Sequence, residues 1–345
     1  MTRAKIGFIG AGSHSTMSLQ PMLAHIREVE PVAVCDLEEA KARSAAERFG
    51  FKRWYTDVSE MLSREPLDGV CICGTPQMHL EVGLQCIEAG LPIFVEKPPA
   101  ITAADARRLA EAAERKGVWG QVGFMKRFAT CYLAAQKAST RVLFGRPRAV
   151  HIKFAHGAYP SIWGIEQPPR AFLIGNACHV FDLARFLVGD VQTVMAYLLE
   201  GDDNRFAFAV AMRFVGGAVG TMNLNAFEQW TQFQEYVSLT GEGECIVVHN
   251  MLRVEYHRGD AWVELEDRQV HNQMCVWEPT GSNPGLDQDK GMLTGYRAQL
   301  RNFALCLLSR THASPSLWDG YEALRLAEAV WESVTKGREV QLSKF

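Results

Sequence analysis

At 345 residues, 48% of them hydrophobic and 22% charged, the chain has the balance of a folded globular protein and is longer than one ordinary core, so two domains are expected. A formal charge of -3 at pH 7 gives no electrostatic case for nucleic acid or an anionic membrane as partner. Nine cysteines, an odd number without a CxxC pair, fall mostly in apolar runs; this favours free thiols in a reducing compartment and no zinc site. The apolar runs look strand-sized and Met1-Thr2-Arg3 enters a strand directly, so a cytoplasmic chain without a signal peptide is expected.

The first strand is expected over Lys5 to Gly10. It feeds Gly10-Ala11-Gly12-Ser13-His14-Ser15 and a helical segment running towards Glu28. Gly10 suits a tight turn, and Gly12 leaves room for a pyrophosphate at a helix N-terminus, where unpaired N–H groups favour anions. Ser15 stands in the third place of the GxGxxG pattern, and Gly10, Gly12, Ser13 and His14 are the candidate phosphate neighbours. A second strand, Pro31 to Cys35, ends at Asp36, close to the offset of about 20 residues expected for an acid that binds the adenosine ribose. The alternative is that Asp36 caps the helix Glu38 to Phe49. An acid there repels a 2′-phosphate and no basic residue follows until Lys41, so NAD is expected rather than NADP.

Asp57-Val-Ser-Glu60 reads as a capping box. Gly69 to Gly74 is another buried strand, followed by Thr75-Pro76 and a helix through His79 to Ala89; Thr75, Pro76 and His79 are candidates to line the dinucleotide site. Ile93 to Glu96 is a short strand that Pro98 stops, because proline lacks an N–H and restricts the residue before it. Lys97 is thereby presented at the strand's carboxyl end, the rim where open α/β sheets hold ligands, with Glu96 beside it. A helix opened by Thr102 and a strand near Trp119 to Phe124 complete six strands alternating with helices, which predicts an α/β, doubly wound parallel sheet.

Beyond a hinge at Gly120 to Gly123 the rhythm changes, giving expected domains at 1–123 and 124–345. Alternating strands are expected at Arg148 to His156, Val191 to Leu199, Phe206 to Phe214, Ala218 to Asn225, Tyr236 to Leu239, Glu244 to His249, Leu252 to His257 and Trp262 to Leu265. Short turns between them predict a large, mostly antiparallel sheet in an α+β domain. Its second face is expected to pair with another subunit, as a homodimer or homotetramer. The long loop His156 to Arg170 carries His156, Tyr159, Trp163 and Arg170 as candidate substrate contacts. Gly175-Asn176 then opens a helix through Val188 with an apolar core stripe. With Asn176 as N-cap, His179 falls in the first turn, where the positive helix end favours a neutral imidazole able to accept a proton. The alternative for His179 is a polar residue satisfied by Asp182. The loop Trp277 to Gly295 and the helices Tyr296 to Ser309 and Asp319 to Lys336 look structural.

The fingerprint at Gly10 and Gly12, the Thr75-Pro76 turn, the Glu96-Lys97-Pro98 strand end and His179-Val-Phe-Asp182 together resemble the Gfo/Idh/MocA oxidoreductase family over nearly the whole chain. The resemblance implies an N-terminal Rossmann domain, a C-terminal domain with a large open sheet, and nicotinamide chemistry on a small-molecule sugar or polyol. It also implies that Lys97 faces the substrate, and that a helix opened by Met125 to Phe128 brings Lys126 and Arg127 to substrate oxygens. Family members often carry an aspartate four residues before the histidine. Here that position is Gly175, which leaves Asn176 or a substrate group to fill the gap. The expected reaction is NAD-dependent oxidation of a secondary hydroxyl, with His179 as base and Lys97 stabilising the oxygen. Two alternatives stay open: a glycosidase or lyase that retains NAD through transient oxidation, elimination and re-reduction, and a dinucleotide and sugar sensor without turnover.

Overall fold

The short, nearly continuous apolar runs of the first third pair as six parallel strands, covered on both faces as such runs require. The computed structural model describes residues 2–229, 234–258, 262–265, 268–271, 274–279 and 290–342; positions 280–289 of the expected loop before Gly295 lie outside these. The strands are β1 (Ala4–Ile9), β2 (Val29–Cys35), β3 (Arg53–Tyr55), β4 (Gly69–Ile72), β5 (Ile93–Val95) and β6 (Gly120–Val122), in the order β3-β2-β1-β4-β5-β6. The order reverses between β1 and β4, the switch point at which doubly wound sheets bind nucleotides. The first helix ends at Ala24, short of Glu28, and contains a π-helical turn at Ser15–Leu19.

The chain forms two compact units: residues 1–128 with 295–325, and residues 129–294 with 326–345. This differs from a single division after residue 123. The helix Tyr296–Ser309 belongs to the first unit because Leu300, Phe303 and Ala304 are fully buried in its core. Phe303 lies edge-on to Phe94 at 6.1 Å and to Trp119 at 5.4 Å. The Gln121 side chain donates to the Gln299 carbonyl at 2.9 Å.

The second unit is built on a nine-stranded sheet. Its strands are β7 (Ala149–Ala155), β8 (Val191–Glu200), β9 (Phe206–Phe214), β10 (Val219–Asn225), β11 (Gln234–Thr240), β12 (Cys245–His249), β13 (Arg253–His257), β16 (Met274–Trp277) and β17 (Val340–Gln341). Two more, β14 (Trp262–Leu265) and β15 (Arg268–His271), form a separate pair. Every neighbour in the nine-stranded sheet is antiparallel except β7 and β10. Period-two burial is clearest in β9, where Phe206, Phe208, Val210, Met212 and Phe214 face the core and Ala209, Ala211 and Arg213 face out.

The inner face packs on one continuous helix, Pro168–Val188, through Phe172 stacked on Phe154 at 5.9 Å and edge-on to Phe206 at 5.4 Å. This helix corrects two expectations. It is 21 residues long and holds an 18-residue window of mean hydropathy 1.4, so one apolar run exceeds strand size; 78% of that window is buried, as in a core helix. It also starts at Pro168-Pro169, where proline's fixed φ suits the first turn, rather than at Asn176. Asn176 sits inside a π-helical turn, Leu173–Ala177, and His179 lies in the helix body. A helix-terminus field therefore does not act on His179.

Candidate active site

In the first unit the candidate residues meet at the carboxyl rim of the parallel sheet. Gly10 has φ +100°, and a Cβ there would lie 2.0 Å from the Cys73 carbonyl oxygen, so β1 and β4 come this close only with glycine. A Cβ on Gly12 would meet nothing within 4 Å. The turn is braced from below: Ser15 Oγ donates to the Gly10 carbonyl at 2.7 Å, and the buried Gln20 amide donates to both that carbonyl and Ser15 Oγ. Ser13 and His14 are exposed in the first turn of the helix, which begins where the Thr16 N–H bonds to the Gly12 carbonyl. Open space above Gly12 and unspent N–H groups suit a pyrophosphate.

Asp36 does not cap the following helix, whose N-cap is Glu38. Its carboxylate accepts from the Ala11 N–H at 2.7 Å and the Glu38 N–H at 3.0 Å, fixing it beside the glycine turn. Leu37 next to it is 90% exposed, an apolar side chain that suits an adenine face and that sequence reading passed over. Thr75 and Pro76 form the N-cap and first turn of the helix Pro76–Glu88, with Thr75 Oγ1 accepting from the Met78 N–H.

His79 holds the turn that carries Lys97. The Gly74 N–H donates to its Nε2 at 2.9 Å, so Nδ1 carries the proton and donates to the Pro98 carbonyl at 2.8 Å. Burial pushes this imidazole down to about 4, which keeps it neutral. Glu96 is buried and accepts the Lys97 N–H at 2.9 Å, with His14 Nε2 3.8 Å from its other oxygen. Burial alone would raise the Glu96 carboxyl; His14, Lys97 and the backbone bond outweigh it and hold the group below its ordinary value. Lys97 itself is half-buried at the end of β5. Met125–Phe128 is a 3₁₀ turn rather than the start of a long helix, the following helix being Thr130–Ser139. Lys126 there is 2% exposed, and Arg127 pairs with Asp319 at 2.9 Å.

In the second unit His156, Tyr159 and Trp163 lie in the loop before the long helix. The His156 and Tyr159 rings are edge-on at 5.4 Å, and Tyr159 packs on Phe172 at 5.5 Å. A Cβ on Gly175 would lie 2.4 Å from the Tyr159 hydroxyl and 3.0 Å from the Trp163 ring. Tyr159 and Trp163 therefore fill the gap that the sequence left to Asn176 or a substrate group. His179, 8% exposed, follows Gly175 by one turn on the same helix face. Arg170 is brought elsewhere, to a hollow lined by Leu173, Ile174, Trp331 and Lys336. Among the described residues no three His, Cys, Asp or Glu side chains gather as metal ligands.

Comparison with known proteins agrees with this anatomy. The oxidoreductase family model GFO_IDH_MocA, NAD-binding Rossmann fold, matches residues 4–124, and the family's C-terminal alpha/beta domain matches residues 142–342. The D-apiose dehydrogenase of Paraburkholderia graminis is 28% identical over 99% of this chain and 91% of its own length. An inositol 2-dehydrogenase of Acidothermus cellulolyticus is 31% identical over 96% of this chain and 92% of its own. Levoglucosan dehydrogenase, solved with NADH and levoglucosan, superposes with a TM-score of 0.83 at 21% identity, covering 99% of this chain and 100% of that one. A Rossmann unit with its glycine turn, joined to a large open-sheet unit, defines a dinucleotide-binding oxidoreductase. The chain belongs to the Gfo/Idh/MocA family of these enzymes.

Proposed function

We propose that the protein is an NAD-dependent dehydrogenase acting on a secondary hydroxyl of a sugar or polyol. The observation that carries this reading is Lys97 at the carboxyl end of β5, in a turn that His79 and Glu96 pin at the same rim as the Gly10–Ser15 turn. Gly10, Gly12, Ser13 and His14 would take the pyrophosphate, Asp36 the adenosine ribose and Leu37 the adenine. The nicotinamide, when bound, supplies the hydride acceptor. In this reading His179 is the base for the hydroxyl proton, and Lys97 is a hydrogen-bond donor to substrate oxygen as charge develops. The two bonds of Asp36 to Ala11 and Glu38 leave carboxylate lone pairs for a ribose hydroxyl and would set its charge against a 2′-phosphate, which favours NAD. The relatives' printed activities on D-apiose and inositol support the substrate class. The exposed apolar side chains Tyr197, Leu199 and Val219 on the outer face of the nine-stranded sheet support a homo-oligomer formed through it.

The test is reduction of NAD and of NADP by the purified protein with myo-inositol, D-apiose and levoglucosan. NADH formation on at least one of them, with NADP much poorer, is expected. Binding of a polyol without reduction of either nucleotide would overturn the assignment in favour of a sensor.

A further inference from the structure

Tyr159 is more than nine-tenths buried, and its backbone N–H is spent on the Asn204 carbonyl at 3.1 Å. Phe172 and His156 hold its ring edge-on from two sides. Its hydroxyl makes no hydrogen bond to any described residue, which leaves the donor at the end of a buried ring open to a ligand. That hydroxyl occupies the place of a side chain on Gly175, with the Trp163 ring as the adjoining wall. His179 follows one turn later on the same face. A hydroxyl in the side-chain space of one helical position and an imidazole one turn, about 5 Å of rise, further along can each serve a different oxygen of a neighbouring pair.

We propose that the Tyr159 hydroxyl donates a hydrogen bond to the substrate oxygen adjacent to the one His179 deprotonates, so that the substrate class is a vicinal diol and Gly175 is required because the phenol fills its side-chain space. The proposal rests on the dehydrogenase reading above and adds a specificity-determining contact to it. Burial pushes the Tyr159 hydroxyl up to about 12, so it stays a neutral donor across the working range.

The experiment compares wild type with Tyr159→Phe on myo-inositol and its monodeoxy derivatives, D-apiose and levoglucosan. Tyr159→Phe should lower kcat/KM about tenfold, the loss of one hydrogen bond, with NADH affinity and Tm unchanged. One monodeoxy inositol should show the same loss with wild type and no further loss with the variant, which a purely structural tyrosine would not produce. Variant activity within about twofold of wild type on every polyol turned over, or losses that simply add, would overturn the proposal alone. Wild type that neither binds nor oxidises any of these compounds would remove the dehydrogenase reading, and this proposal with it.

Discussion

His79 and Lys97 show how a buried, neutral side chain prepares a charged one. His79 spends both ring nitrogens on the two turns at the sheet rim, so the position of Lys97 depends on an imidazole that must not ionise. Unfolded, this histidine binds a proton below about pH 6.5; folded, it resists protonation down to about 4. The unfolded state therefore holds more protons in that window, and stability falls as pH drops through it, by up to about 3 kcal/mol. Denaturant titrations between pH 7 and 4 should show a shallower decline for His79→Asn than for wild type; parallel slopes would mean the imidazole titrates normally. Lys97→Ala should lower kcat by about 10²-fold or more, the scale of removing one stabilising donor, and leave NADH affinity nearly unchanged. At this scale the placement of Gly10, Gly12, Asp36 and Lys97 at the sheet rim was legible because each sits at a strand end or turn that is local in sequence. The tie from His79 to Pro98 was not, since nothing in the spacing shows that the two turns fold onto each other. The pairing of Tyr159 with Gly175 was hidden for the same reason: a missing side chain announces a space, and only the fold shows what fills it.

At the scale of elements, alternation served well where one face is buried. Eight strands of the second unit were read nearly to their ends, β9 being the clearest case, whereas β15, β16 and β17 were not read. The helix Pro168–Val188 was misread because Gly175-Asn176 has the composition of a helix start, whereas the run is already helical and passes through them as a π-helical turn. The proline pair ahead of it, counted as loop, was the better start signal. β17 is two residues long and carries too little pattern to be found. The contact of β1 with β4 makes a sharper prediction. Gly10→Ala combines φ +100° with a methyl 2.0 Å from a backbone oxygen, so it should destabilise the fold by about 2 kcal/mol or more, measured as a lower urea midpoint. An unchanged midpoint would show that the two strands can separate freely.

For the molecule as a whole, two features follow from units that are each well formed by themselves. The first unit's helices cover both faces of its sheet, while the second unit's sheet keeps Tyr197, Leu199 and Val219 exposed on an outer face they share with polar residues such as His151, Arg213 and Thr221. Lysine at both Tyr197 and Leu199 should therefore lower the oligomeric state in sedimentation velocity without lowering Tm of the remaining fold; a wild type that sediments as a monomer would refute that role for the face. The first unit carries the glycine turn and Lys97, and the second carries His179 and Tyr159. The most direct measurement is the amount of NADH formed against polyol consumed by the purified enzyme supplied with NAD. Equal amounts accumulating together are predicted. Consumption of the sugar without accumulated NADH would contradict a net dehydrogenase and point to an enzyme that oxidises and re-reduces its substrate.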